Sequence, residues 1–254
     1  MANGIIHRKV FTLDGKDSWD FKVQISGSGT YGSAERDIET QHLPFRNGDL
    51  LNDNGCFHNR IITYPCWIAH TFKDDFDTFR DWLMQHTDKY YKLTDSYHPD
   101  HFFMARVVSP IEPEVLVRGR AGTFTVTFDC MPQWFRDSGD GYRDIEAGTL
   151  VNPTNFPARP VLRILGKGTV KINDQTITVS DDLPYVMEGT DTPSVRVDCD
   201  EMDAYALLDV DENEKANANK YVSMPLEYIE LKPGDNTISL SGCSLRMIPR
   251  WYDM

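Results

Sequence analysis

From Val161 to Ile248 the chain alternates short β-forming runs with turn-makers and never settles into a helical period. The runs are Val161–Leu165, Thr169–Ile172, Thr176–Val179, Ser194–Val197, Ala204–Leu208, Thr237–Leu240 and Ser244–Ile248. Gly166-Lys167-Gly168, read as a hairpin turn, Asn173-Asp174 and Lys232-Pro233-Gly234-Asp235-Asn236 punctuate them. Strand signals recurring about every 8–12 residues, with Gly, Pro and Asn between, predict an antiparallel β-sandwich.

The first half is also mostly extended. Val10–Lys16 reads as a strand entering a turn, because Asp14-Gly15 supplies the positive φ of a tight reversal. Ile61–Ile68 is rich in β-branched and aromatic residues, with Pro65 marking an edge or bulge. Tyr90–Val107 reads as two strands about a turn at His98-Pro99-Asp100. In Gly122–Cys130, Phe124, Val126 and Phe128 alternate with Thr125 and Thr127, the period of a strand with one buried face. One helix interrupts the pattern, over Lys73–Gln85. Phe72, Phe76, Phe79, Trp82 and Leu83 fall at helical spacing, and Asp74, Asp75 and Asp77 favour its N-terminal end. The expected use of this stripe is to cover a sheet.

The polar, Gly-containing stretch from Asp137 to Asp144 divides the chain. The expectation is an N-terminal domain over 1–136, a linker over 137–150 and a C-terminal domain over 151–254. The fold class is mainly β: a β-sandwich-like first domain with one helix and a long hairpin, then a second antiparallel sandwich.

The chain has 254 residues, long enough for a sizeable core. Its net charge of −13 argues against sequence-specific DNA binding, since such a surface repels phosphate. No apolar run approaches the length of a membrane span, and the first residues show no signal-peptide core. The five cysteines, Cys56, Cys66, Cys130, Cys199 and Cys243, share no CxxC spacing and read as buried thiols.

The motifs that resemble chemistry fail on their spacing. Gly166-Lys167-Gly168-Thr169 lacks the preceding glycine and following helix of a phosphate loop. Asp209-Val210-Asp211-Glu212-Asn213 opens like a calcium loop, but Glu214 stands where glycine is needed and Lys220 where glutamate is needed. Asp95, His98, Asp100 and His101 are metal-compatible, but neighbouring turn residues seldom converge on one ion. No nucleophile elbow or zinc-protease motif is present, so no catalytic residue, cofactor or metal is assigned. The segment Leu43–Leu51 differs. Asn47-Gly48 favours a type I′ turn, with Arg46 and Asp49 flanking it and free to pair with each other or across a subunit boundary.

Taken in order, these motifs resemble the distal tail protein (Dit) family of long-tailed phages. The resemblance runs through Val10–Lys16, Leu43–Leu50, Asp81-Trp82-Leu83, Tyr91–Asp95, Phe124–Pro132, Asn152-Pro153, Pro233–Ile238 and Pro249-Arg250-Trp251. The family's usual Ile-Pro-Gly-Arg-Asn-Gly is here Leu43-Pro44-Phe45-Arg46-Asn47-Gly48, so Phe45 replaces a glycine. The resemblance implies a structural virion protein at the tail tip, assembled in the host cytoplasm. It implies a hexameric ring of N-terminal domains, with galectin-like C-terminal sandwiches projecting outward. Such a ring joins the tail tube and tape measure end to fibre, baseplate or receptor-binding proteins, with DNA only passing through. Arg46, Asn47, Gly48, Asp49, Arg250 and Trp251 are the candidate subunit-interface residues. The competing expectation is a carbohydrate-binding module or receptor-binding tail accessory protein, for which Trp251 is the one tryptophan of the second domain.

Overall fold

The computed structural model describes residues 8–27, 29, 31–69, 71–108, 110–186, 191–207 and 215–254. The acidic stretch 209–213 lies outside the described residues. The chain divides into two compact units, residues 1–134 with Met254 and residues 135–253.

The first unit contains β1 (Phe11–Leu13), β2 (Lys16–Asp17), β3 (Gln24–Ile25), β4 (Arg36–Gln41), β5 (Leu50–Phe57) and β6 (Arg60–Ile68). Helix α1 (Phe72–Met84) follows, then β7 (Tyr91–Asp95), β8 (His101–Val108), β9 (Glu114–Leu116) and β10 (Ala121–Cys130). The main sheet runs β2-β1-β7-β8-β10-β6-β3, with β9 added to β10. At its β3 end, Ile25 N donates to Lys9 O at 2.7 Å, just ahead of β1. The path therefore curls back on itself around its core.

The expected turn joins β1 to β2. Asp14 and Gly15 have φ of 51° and 77°, the two positive values of a type I′ reversal. Helix α1 buries all five residues of its apolar stripe. Trp82 stacks on Phe21 at 4.9 Å, and Phe79 meets Phe124 at 5.4 Å, so the helix closes over the inner face of the sheet. Its start lies against β10 at Gly122, where a Cβ would overlap the Phe72 ring. Phe124, Val126 and Phe128 point into this core, as their alternation predicts.

The second unit holds β11 (Trp134–Arg136, beginning on the boundary), β12 (Arg143–Ile145), β13 (Gly148–Asn152), β14 (Val161–Ile172), β15 (Gln175–Val179) and β16 (Ser194–Asp198). It continues with β17 (Asp203–Leu207), β18 (Lys215–Asn217), β19 (Val222–Ser223), β20 (Gly234–Ile248) and β21 (Tyr252–Asp253). Two long neighbours, β14 and β20, organise it. The first half of β14 pairs with β16 and the second half with β15. The two ends of β20 pair separately with β13 and β12. Both sets of partners contribute to a single apolar cluster, which is how one connected ladder supplies two layers of a sandwich.

Two expectations are corrected here. Gly166-Lys167-Gly168 is not a hairpin turn but a register shift inside β14, opposite Gly242 of β20. At Gly168 (φ 157°) a Cβ would overlap the carbonyl oxygen of Ser241, so the bend needs a residue without one. The stretch 137–150, expected as a linker, carries β12 and most of β13, both paired to β20. Its polarity is that of edge strands with a solvated face, not of a free tether.

Candidate subunit interface

Strands β4 and β5 form a two-stranded sheet of their own, paired from Arg36↔Phe57 to Gln41↔Leu50 and separate from the other sheets. No residue of either strand is buried. Ile38 lies opposite Asp53 and Thr40 opposite Leu51, so Ile38 and Leu51 are diagonal neighbours on one face. Leu51 is 64% exposed and Ile38 42%, and Leu50 is exposed on the other face. Near the base, Arg36 Nε and Nη2 donate to the two Asp53 oxygens at 2.9 and 2.7 Å. That fork holds the Asp53 carboxyl below its ordinary range. Cys56 Sγ donates to Asp37 at 3.5 Å, which raises the thiol above its ordinary value.

The tip holds four of the predicted interface residues. Arg46 N donates to Leu43 O at 3.3 Å, closing a turn with Pro44 and Phe45 at its centre. Proline fixes φ near −65°, and Phe45 has φ of 65°, the signature of a type II turn. Such a turn wants glycine at the position Phe45 occupies, and the Phe45 ring is left fully exposed. Asn47-Gly48 does not make the expected type I′ turn. Only Gly48 of the pair has positive φ, 79°, because Pro44-Phe45 already contributes a bend and the reversal is spread over a longer loop. Arg46 and Asp49 do not pair. Asp49 Oδ1 lies 3.1 Å from His42 Nδ1, and Arg46 stands exposed without a carboxylate in reach among the described residues.

Arg250 and Trp251 are placed differently. Trp251 is 2% exposed and belongs to the core of the second unit. Arg250 Nη1 and Nη2 donate to Asp198, and Arg250 N donates to Gly139 O at 3.0 Å. Both serve contacts within their own unit. The same burial removes Trp251 as a flat platform for a sugar ring.

Asp95 is also committed. Its Oδ1 accepts from Tyr97 N and His98 N, each at 2.9 Å, and its Oδ2 from the Tyr64 hydroxyl at 2.5 Å. The carboxylate shapes the turn between β7 and β8, and no group of three metal-compatible side chains gathers among the described residues. The sequence reading missed the exposed Ile38, Leu50 and Leu51. One signal was available: adjacent leucines in a strand point to opposite faces, so a strand carrying Leu50-Leu51 beside the polar Asn52-Asp53-Asn54 has no purely polar face.

No curated protein matches the sequence significantly. Residues 17–130 match the phage tail protein RIFT-related domain family. The crystal structure of SPP1 Dit (gp 19.1), described as a paradigm of the hub adsorption apparatus in phages infecting Gram-positive bacteria, aligns with a TM-score of 0.60 at 15% identity. The match covers 94% of this chain and 97% of that one. A chain of the phage P2 baseplate, in its activated conformation with Ca, aligns at 0.52 and 11% identity, with 94% and 97% covered. The form with Sr gives 0.52 and 10% over the same shares. These likenesses establish a shared, mainly β fold along nearly the whole chain. Residues 17–130, less than half of the chain, carry the likeness to the phage tail protein RIFT-related domain family, and the solved structures extend it over nearly the whole chain as a likeness of fold.

Proposed function

We propose that this chain is the hub at the distal end of a long phage tail. Copies close into a ring through their first domain, residues 1–136, and the resemblance sets the number at six. The ring connects the tail tube and tape measure end to tail-tip, fibre or receptor-binding proteins, and DNA only passes through it.

The observation that supports this reading is the β4–β5 hairpin. An isolated two-stranded ribbon is marginal in water, and this one buries neither face while exposing Ile38, Leu50 and Leu51. Laid against a neighbouring copy, it gains the apolar contact that it lacks within its own chain. A ring needs such a heterologous patch, one surface meeting a different surface of the next copy. Arg46, Asn47, Gly48 and Asp49 at its tip are then subunit contacts. The excess of acids suits a channel that DNA must slide past without sticking.

The test is light scattering and negative-stain imaging of the purified protein, alone and with its tail partners. Rings are expected, and Leu51→Asp with Ile38→Asp should abolish them without moving the melting transition. A protein that stays monomeric with every tail partner present would refute the hub reading.

A further inference from the structure

Three arginines stand side by side in the second unit. The neighbouring strands β12, β20, β14, β16 and β17 bring Asp144, Arg246, Arg163, Arg196 and Tyr205 opposite one another in a single row. The residues that alternate with the arginines, Leu162, Ile164, Val195, Val197, Leu245 and Met247, fill the core. The row therefore lies on the face of the sheet turned away from that core.

Like charges directly opposite each other destabilise a sheet. In so acidic a chain, carboxylates should relieve the strain, yet those on this face are engaged elsewhere or poorly placed. Asp198 is gripped by Arg250, and Asp203 accepts from Asn219 Nδ2 at 2.6 Å. Asp144 lies 3.2 Å from Arg246 Nε but is 87% exposed, so water weakens the pair.

The three arginines differ in what they can offer. Arg196 is buried, with its guanidinium 5.1 Å from the Tyr142 ring centre, and contributes charge to the row. Arg246 lies 5.8 Å from the same ring; its Nε is enclosed, while the side chain keeps 38% of its surface. Arg163, in the middle, makes no hydrogen bond or ion pair among the described residues, and its nitrogens keep access to solvent. It is the open donor of the row.

We propose that this row is a docking face for an extended acidic segment of another protein, with one carboxylate seated on Arg163 and the charges of Arg196 and Arg246 beside it. A long phosphate polymer would meet the repulsion of the whole chain, at −13. A free small acid would gain little from one half-exposed arginine in water. A carboxylate presented by a protein segment brings further contacts with it, and Arg and Tyr are favoured at such interfaces. That the partner is a tail protein rests on the hub reading; the binding chemistry does not.

The experiment measures fluorescence anisotropy with the full chain. The probes are a short labelled peptide of alternating Glu and Thr, the same peptide with Gln for Glu, and a labelled oligothymidylate. The Glu peptide should bind saturably at millimolar concentration or below, more weakly as salt rises, and the Gln peptide should not. Arg163→Gln removes one of three crowded charges and no core contact, so it should melt no lower than the unmodified protein and weaken binding about fivefold or more. Arg246→Gln, at the open end of the row, is the second variant and should weaken it as well. Ring yield of Arg163→Gln, measured in parallel, should stay unchanged, which separates this proposal from the hub reading. If the Glu peptide does not bind, if Arg163→Gln binds it equally well, or if oligothymidylate binds as tightly, the proposal is wrong. Loss of rings in Arg163→Gln would make a second copy the occupant and overturn it too.

Discussion

Arg250 grips Asp198 through two parallel bonds, Nη1 to Oδ1 and Nη2 to Oδ2, both at 2.8 Å. Asp198 ends β16 and Arg250 follows β20, so the pair spans the end of β14 between them. Asp198 also accepts from Asp200 N at 3.0 Å, which shapes the turn into β17. Arg250 is held at φ 57°, an uncommon value for arginine that the fork helps to fix. Removing one partner leaves the other poorly paired, at up to about 3–5 kcal/mol for a fully buried pair. The Arg250 side chain keeps a third of its exposure, so Arg250→Ala should destabilise by about 2 kcal/mol. Arg250→Lys should recover little, because an ammonium cannot bond both oxygens. A double-mutant cycle with Asp198→Ala, read by thermal melting, gives the coupling directly. Additive losses would show that the two residues act separately.

Gly168→Ala should disrupt the second unit more than any surface change. The added methyl falls on the Ser241 carbonyl, which belongs to the paired strand and has little room to retreat. The expected loss is roughly 3 kcal/mol or more, the scale of forced overpacking with backbone shift. Hydrogen exchange should localise the damage to β14 and β20. Native-like protection of the amides around Gly166 and Ser241 would show the bulge to be adaptable.

Where local chemistry alone decides conformation, the sequence was readable. The α1 stripe and the Asp14-Gly15 reversal need no partner to be recognised. Where one strand's shape depends on its neighbour, reading failed. Gly166-Lys167-Gly168 has the residues of a turn, and only the matching bend at Gly242 of β20 turns it into a bulge. Asp137–Asp144 is as polar as a linker, yet β12 pairs Ile145 with Leu245. The hairpin tip was visible at Leu43–Leu51, whereas the lack of any buried face along β4 and β5 was not, since exposure is a property of what surrounds a strand. Arg250 and Trp251 stood out as anchors, but what they anchor to, Asp198 and the second core, lies far away in sequence.

The thiols should divide by burial. Cys66, Cys130 and Cys199 are buried and Cys56 is exposed. Burial pushes the Cys130 thiol from its ordinary value near 9 up to about 12, and Cys66 and Cys199 further. A thiol reagent should therefore modify Cys56 promptly and these three only after unfolding. The stability that they contribute is fully present below about pH 9, where both states keep their protons. It falls as pH rises towards 12, because the unfolded chain ionises first. Asp37→Asn removes the carboxylate that holds the Cys56 proton, and should speed alkylation of Cys56 at neutral pH. An unchanged rate would mean that the Cys56–Asp37 contact does not persist in solution.

Phe45 is a bulky side chain at a backbone position suited to glycine. Its φ of 65° follows from Pro44, which occupies the second place of the turn and leaves the positive angle to the third. The left-handed conformation costs a non-glycine residue roughly 1–2 kcal/mol, and the exposed ring recovers nothing by packing within the chain. Phe45→Gly should relieve that strain, offset in part by the greater freedom of glycine in the unfolded state, about 0.5–1 kcal/mol. The net effect is a small gain, visible as stronger exchange protection of the Arg46 amide that closes the turn. Assembly provides the contrast. If the ring is contacted at this tip, Phe45→Gly should weaken association while steadying the hairpin in the monomer. Comparing amide protection with ring yield in one variant separates the two effects. A ring yield unchanged by Phe45→Gly would place the subunit contact along the strands, at Ile38 and Leu51, and not at the tip.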